Sequence, residues 1–339
     1  MSATFLYALC RSGSEPALKR DVAVRLGGQL TPAFMRPQLI TWKALDGAET
    51  SLFDSGFALV AGRTVGKATT VGEVVSLVQA AGITPQRLQV LPREAPEEGV
   101  SEETWGRVST LGRELAEALA VPHGGRASPG ETVLDIIVGT VAEPWLVGVR
   151  NHRDGAFPDV EELLRVALPE AAPSRAWLKM EQALRWLGKD SALAGATVLE
   201  LGSAPGGGSL CLLDHGATVY GVDTGAMDPR VLAYPTFHHL RVSAGDLQRE
   251  MVPRQVDVLA SDMNLEPRVV CQYAEKFASR LRPAGLILTL KLNTPQVEAS
   301  LPTIIDRVRR WAPGPVDVRQ LPANRREITL VSWAENDRR

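Results

Sequence analysis

Three cysteines, Cys10, Cys211 and Cys271, are too few and too scattered among 339 residues for a disulfide framework or a cysteine-built zinc site. A reducing compartment is therefore expected, and the cytoplasm is the natural one. No run approaches the ~18 apolar residues that span a bilayer, so no membrane partner is expected. The first residues, MSATFLYALCRSGSE, have too short an apolar stretch and no basic lead for a secretory signal. A strong charge of one sign is also missing. The net charge is −2, with 16 basic against 20 acidic side chains over 1–165 and 21 against 19 over 166–339. Any polyanion must therefore be met by a local patch rather than by the protein's overall field. Lysine is scarce. It supplies 7 of the 37 basic residues, and none falls between Lys67 and Lys179. A chain that uses arginine almost everywhere yet has lysine at 179 and 291 points to a need for an amine, because lysine can lose its proton and arginine cannot. Chance is the competing account.

What is present is ordinary for a globular chain of this length: 45% hydrophobic and 22% charged residues, enough for two domains with a core each. The second half alternates strand and helix patterns. TVLELGS (197–203), ATVYGVD (217–223), a weaker HHLRVSA (238–244), VDVLASDM (256–263) and AGLILTLKL (284–292) read as strands. Helices are expected after the glycine turn, up to about 281, and from about 297 to 311. VDVRQL (316–321) and EITLVSW (327–333) close the chain as a hairpin-like pair around PANRR. Such alternation predicts an α/β, doubly wound, mostly parallel sheet, with one antiparallel strand at its edge. The first half reads as α+β. Strands are expected at 5–10, 39–44 and 56–65, and in TVLDIIVGTV and PWLVGVRN. Helices are expected at 15–27, 71–81 and 102–120, with a connector over 151–173. The expected domains are 1–165 and 166–339.

The chemistry concentrates in the second half. LELGSAPGGG follows an apolar strand and precedes a helix, the setting of a nucleotide-binding turn. Its spacing is not GxGxxG and no lysine follows, which disfavours a dinucleotide or a nucleoside triphosphate. Gly202, Ser203, Ala204, Pro205, Gly206 and Gly207 would carry the ligand on backbone groups, the glycines allowing close approach. Asp223 ends the next strand, where a carboxylate holds ribose hydroxyls. Asp246, in AGDL, could meet an adenine amino group, and Asp262 closes the fourth strand. Strand-end acids beside a glycine turn fit adenosine bearing a sulfonium and no phosphate, that is, S-adenosyl-L-methionine. Lys291 interrupts LILTLKLN at the end of a buried strand, where a charge needs a partner. Lys179 lies in PSRAWLKMEQAL, a helix with Ser174 as its expected N-cap. Taken alone, Lys179 and Glu327 are ordinary surface residues. Nothing in the sequence indicates a metal.

The segments SRAWLKMEQ, ELGSAPGG, SDM, LKL and REITLVS together resemble the FtsJ-like RNA ribose 2′-O-methyltransferases. Within them the chain is most similar to the bacterial enzymes that modify a cytidine of 23S rRNA. FLYALCRSGSEPALKRDVA resembles the start of those proteins, and PWLVGVRNHRDGAFP their connector. The resemblance implies a Rossmann-like, seven-stranded methyltransferase sheet over 166–339. Before it, over 1–165, it implies an RNA-binding domain with ferredoxin-like and THUMP-like parts. It also implies a catalytic Lys179–Asp262–Lys291–Glu327 set and an RNA substrate rather than DNA. The chain departs from the family at Ala204, Gly208 and Ala176, and 66–130 does not align with it. Lys291 is the expected proton acceptor, its pKa lowered by the second ammonium of Lys179. Arg175, Arg325 and Arg326 are the expected RNA contacts; Arg307, Arg309 and Arg310 fit a solvated helix face better. Other ribose targets remain open, as does a noncatalytic rRNA-binding or assembly factor on the same fold. A small-molecule methyltransferase is disfavoured by the paired lysines.

Overall fold

The computed structural model describes residues 4–48, 50, 53–93 and 99–335. The chain divides into two compact units, Met1–Arg165 and Val166–Arg339. No helix among the described residues is long and apolar enough to cross a membrane.

The first unit runs β1 (Phe5–Cys10), α1 (Glu15–Arg25), β2 (Leu30–Arg36), β3 (Leu39–Ala44), β4 (Ala58–Ala68), α2 (Val71–Ala80), β5 (Arg87–Pro92), α3 (Glu102–Leu119), β6 (Thr132–Val138), β7 (Trp145–Asn151) and α4 (Val160–Arg165). Its seven strands lie in the order β2-β3-β1-β4-β7-β6-β5, antiparallel except for β5 beside β6. Val74 and Val78 of α2 and Val108 and Leu115 of α3 close one core with Leu88, Val90, Leu134, Ile136 and Val147 of the sheet. Thr70 and Ser101 cap these two helices through their side-chain oxygens. Three elements escape the sequence reading. β2 is an edge strand, mostly exposed and broken in register near Pro32, so it shows no apolar alternation. β5 falls within the stretch that periodicity leaves unassigned. α4 is a six-residue helix inside the expected connector.

The second unit runs α5 (Ala176–Leu187), β8 (Thr197–Leu201), α6 (Gly207–Asp214), β9 (Thr218–Val222), α7 (Pro229–Leu232), β10 (Phe237–Leu240), β11 (Val258–Ser261), α8 (Pro267–Leu281), β12 (Gly285–Lys291), α9 (Pro295–Ala299), α10 (Leu301–Val308), β13 (Val316–Arg319) and β14 (Glu327–Trp333). The sheet order is β10-β9-β8-β11-β12-β14-β13. From β10 to β12 all pairs are parallel, and β14 is antiparallel to both neighbours. The central strands are buried on both faces, which is why TVLEL and GLILTLK read as nearly continuous apolar runs.

Three sequence expectations are corrected here. The antiparallel strand is not at the edge: β14 is inserted between β12 and β13, and β13 is the edge strand. The buried face of ITLVSW explains this, since Ile328 to Ser332 are all covered. The helix expected from 297 to 311 is two pieces meeting at Ser300, where Pro302 enters the first turn of the second piece and cannot continue a helix through its nitrogen. The N-cap of α5 is Arg175, not Ser174; Ser174 Oγ accepts the Ala176 N–H from one position earlier, at 3.3 Å.

Candidate functional site

Parallel strands end on a common edge, so the residues that follow β8 and β11 and the last residue of β12 are neighbours. The strand order reverses at β8, with β9 and β10 on one side and β11 and β12 on the other. A reversal of this kind opens a crevice at the carboxyl ends of the strands. Gly202 follows β8, Asp262 follows β11, and Lys291 ends β12. β14 runs the opposite way, so its first residue, Glu327, arrives at the same edge, in register with Lys291. Lys179 comes from the first turn of α5.

These four side chains form a closed ring of alternating charge. Lys179 Nζ donates to Asp262 Oδ2 at 3.1 Å and to Glu327 Oε1 at 2.8 Å. Lys291 Nζ donates to Asp262 Oδ1 at 3.0 Å and to the same Glu327 Oε1 at 2.9 Å. The second Glu327 oxygen accepts the Arg325 N–H at 2.8 Å. The side chains are 12–18% exposed: shielded enough to couple strongly, open enough for a substrate to reach them.

Burial by itself would push the Lys291 amine down. The Asp262 and Glu327 carboxylates outweigh it and hold the amine above its ordinary range. This reverses the expectation that Lys179 would lower it, because each lysine is met by two acids and the ring has no excess positive charge. Burial would likewise raise Glu327, but Lys179, Lys291 and the Arg325 amide hold its carboxyl down at about 2.

The glycine turn lies beside this ring, and its glycines answer first to packing within the protein. Gly202 has φ +79°, and a Cβ there would sit 2.8 Å from the Met263 backbone, next to Asp262. Gly206 has φ +113°, and a Cβ would come within 2.7 Å of Val231. A Cβ on Gly207 would strike Ser174, and one on Gly208 would strike the Glu200 carboxyl. Ala204 and Pro205 are joined by a cis peptide bond, and Ser203 is buried. Asp223 is partly exposed. It holds the turn by accepting the Ala204 N–H at 3.1 Å and the Gly225 N–H at 2.8 Å, one on each oxygen. Asp246 is exposed in its own turn, with its carboxylate accepting the Ser243 hydroxyl at 2.6 Å. Arg175 is half-buried at the start of α5, and Arg325 and Arg326 are exposed just before Glu327. Arg307 pairs with Glu275 at 2.6 Å and Arg309 with Asp306 at 2.9 Å, so that basic run is partly neutralised.

Two groups near the site were not singled out from the sequence. Glu200, in the middle of β8, is fully buried under the turn and accepts the Ser209 hydroxyl; burial, with Asp262 and Asp223 nearby, pushes its carboxyl up to about 8. Glu181, Cys211 and His215 bring one donor atom each to within 4.8 Å of one another, although the cysteines look scattered in sequence. They satisfy each other. Glu181 Oε2 lies 2.7 Å from His215 Nε2 and 3.5 Å from Cys211 Sγ, and Oε1 accepts from Arg185 at 2.7 Å. The Glu181 bond raises the His215 pKa, and His215 and Arg185 hold Glu181 down at about 2 against its burial. Glu200 does carry a local signal, a charge within the apolar strand TVLEL, as Lys291 does in its own strand; the Glu181–Cys211–His215 group carries none, since it depends on α5 packing against α6.

Residues 172–305 match the protein family described as FtsJ-like methyltransferase. Glu327 lies beyond the matched stretch. Over 269 residues the chain is 29% identical to the ribosomal RNA large subunit methyltransferase M of Azoarcus sp. (strain BH72), covering 76% of this chain and 71% of that protein. Over 195 residues it is 33% identical to the protein of the same name from Laribacter hongkongensis, covering 55% and 54%. Over 206 residues it is 35% identical to the one from Xylella fastidiosa, covering 58% and 52%. The chain thus spans from about half to about seven-tenths of the length of these three relatives.

Proposed function

From a chain whose residues 172–305 are similar to FtsJ-like methyltransferases, we propose an S-adenosylmethionine-dependent enzyme that methylates a ribose 2′-hydroxyl of large-subunit ribosomal RNA, with a cytidine as the target nucleotide. The second unit would be a Rossmann-like methyltransferase domain, and the first an RNA-binding domain with ferredoxin-like and THUMP-like parts. The observation that carries the reading is the closed Lys179–Asp262–Lys291–Glu327 ring at the carboxyl edge of the sheet, next to the glycine turn.

The donor chemistry suits the cofactor. Asp223 follows β9 with a partly exposed carboxylate, each of whose oxygens carries one backbone N–H and keeps a further lone pair for a ribose hydroxyl. The backbone of 202–207 would hold the rest, with Asp262 at the reacting end and Asp246 a weaker candidate for the base. Bound there, S-adenosylmethionine supplies a methyl group on a sulfonium, with a neutral thioether as the leaving group.

A ribose hydroxyl is a poor nucleophile near neutral pH, so the chain must hold it in line and accept its proton. The Lys291 amine is the acceptor. An oxygen–carbon bond forms, a sulfur–carbon bond breaks, and the hydroxyl proton ends on Lys291. Lys291 must first be neutral, and the ring as it stands favours its charged form. Asp262, like Glu327, accepts from both amines, so any positive charge added beside it weakens its hold on Lys291 and lowers that amine's pKa. Glu327 anchors Lys179, which is left to hold the sugar oxygen as charge develops. Positioning supplies much of the acceleration, on the order of 7–11 kcal/mol for well-oriented groups.

The test is transfer of radiolabelled methyl from the cofactor to an unmodified 23S rRNA transcript, followed by mapping. An alkali-resistant linkage at one cytidine is the expected result. Label on a base, label on a small molecule only, or no transfer with intact RNA binding would each replace this reading with another.

A further inference from the structure

The ring is assembled from a helix, two parallel strands and one antiparallel strand, and the last of these arrives through a turn. Among the described residues, three buried amide side chains hold that turn. Gln182 is 3% exposed, Gln320 3% and Asn324 0%. Gln182 lies three residues after Lys179 on α5, so both point to the same side of the helix. Its Oε1 accepts the Ala323 N–H at 2.8 Å, across 141 residues of sequence. Asn324 Oδ1 accepts the Leu321 N–H at 2.8 Å and the Thr329 hydroxyl at 3.2 Å, which closes the turn on itself. Gln320 Nε2 donates to the Arg325 carbonyl at 3.1 Å and to the acid's own carbonyl, that of Glu327, at 3.2 Å. The Leu292 N–H donates to the Arg326 carbonyl at 2.6 Å and ties the same turn to the residue after Lys291.

We propose that Gln182, with Gln320 and Asn324, is a positioning clamp that sets the distance between Lys179 on α5 and Glu327 on β14. This rests on the reading of the ring as a methyl-transfer site. Strand pairing alone fixes Glu327 against Lys291, since β14 lies beside β12. It does not fix Glu327 against α5, which is not part of the sheet. The amide of Gln182 makes that second connection. The clamp leaves Gln320 Oε1 and Asn324 Nδ2 buried without a partner. An apolar corner would avoid both orphaned atoms, so the amides serve geometry at some cost in stability.

Gln182→Met keeps the volume and removes the acceptor; Gln320→Met is the second variant should the first fail to fold. Three readouts are taken in the full chain. The expected kcat for methyl transfer to rRNA falls tenfold or more, given that misplacement by about 1 Å can cost on the order of 100-fold. The KM for RNA and the cofactor dissociation constant stay within about twofold. The third readout is the Glu327 carboxyl, followed by carbon NMR in the protein without substrate. In the parent it stays ionised down to about pH 2, and in the variant it titrates closer to an ordinary glutamate. A residue that merely stabilises the fold would lower the melting temperature and leave this titration in place. Unchanged kcat together with an unchanged Glu327 titration overturns the clamp. If the parent protein transfers no methyl to RNA, the enzyme reading fails on its own, and the NMR arm still decides whether the clamp exists.

Discussion

Single residues carry the proposed chemistry, and their environments make it testable. Lys291→Arg keeps the charge and the ion pairs but cannot lose its proton, so transfer should drop by at least about 100-fold with cofactor affinity nearly intact; equilibrium binding beside single-turnover kinetics would separate the two. In the free protein Lys291 is held above the ordinary lysine range. The active form is the neutral amine, so kcat/KM should climb about tenfold per pH unit from 7 to 9, with no plateau in that window. Removing one of the acids that keep Lys291 charged should move this limb the other way. Glu327→Gln is expected to slow transfer yet shift the alkaline rise to lower pH, and a limb that stays in place would argue against Lys291 as acceptor. Glu200 offers a test of stability. Its carboxyl is raised to about 8 by burial, whereas an unfolded glutamate titrates near 4.3. Between those values the folded protein binds the extra proton, so its stability falls as pH rises. Glu200→Gln should therefore stabilise the protein by on the order of a few kcal/mol at pH 8 and by almost nothing at pH 4, read from denaturant unfolding at both pH values.

At the scale of elements, the strand–turn–helix at 197–214 is the most constrained piece. Gly202→Ala would place a Cβ at positive φ and against the Met263 backbone, costing about 3 kcal/mol, measurable as a lower urea midpoint. That this turn exists was legible because LELGSAPGGG breaks an apolar strand with glycines. That its glycines serve contacts with α7, the segment after β11 and the start of α5 was not, since those partners are distant in sequence. The buried strands β8, β9, β11 and β12 were readable from their apolar runs, and α2, α3 and α8 from their periodicity. β2 was hidden because an exposed edge strand needs no alternation. The position of β14 was hidden because pairing order is not written in a hairpin pattern: the same two strands could have joined the sheet by either member.

At the scale of the whole molecule, a chain of net charge −2 can meet RNA only through local cations. Binding should weaken linearly in log salt, and Arg325→Ala or Arg326→Ala should each reduce the slope by about 1 if it touches a phosphate. A filter-binding series over salt reads this directly, and an unchanged slope removes that arginine from the interface. What the sequence by itself determined is the kind of protein: apolar strands alternating with helices, a glycine turn after the first of them, and lysines kept at 179 and 291 in a lysine-poor chain. These are local properties, set by side-chain period and backbone freedom. Only the tertiary structure decided that the two ammoniums share two carboxylates, that Lys291 is held above the ordinary lysine range, and that a buried amide of α5 meets the last turn. Those outcomes depend on distances between segments from 29 to 148 residues apart, and a pKa or a hydrogen bond is a property of such distances rather than of residue type.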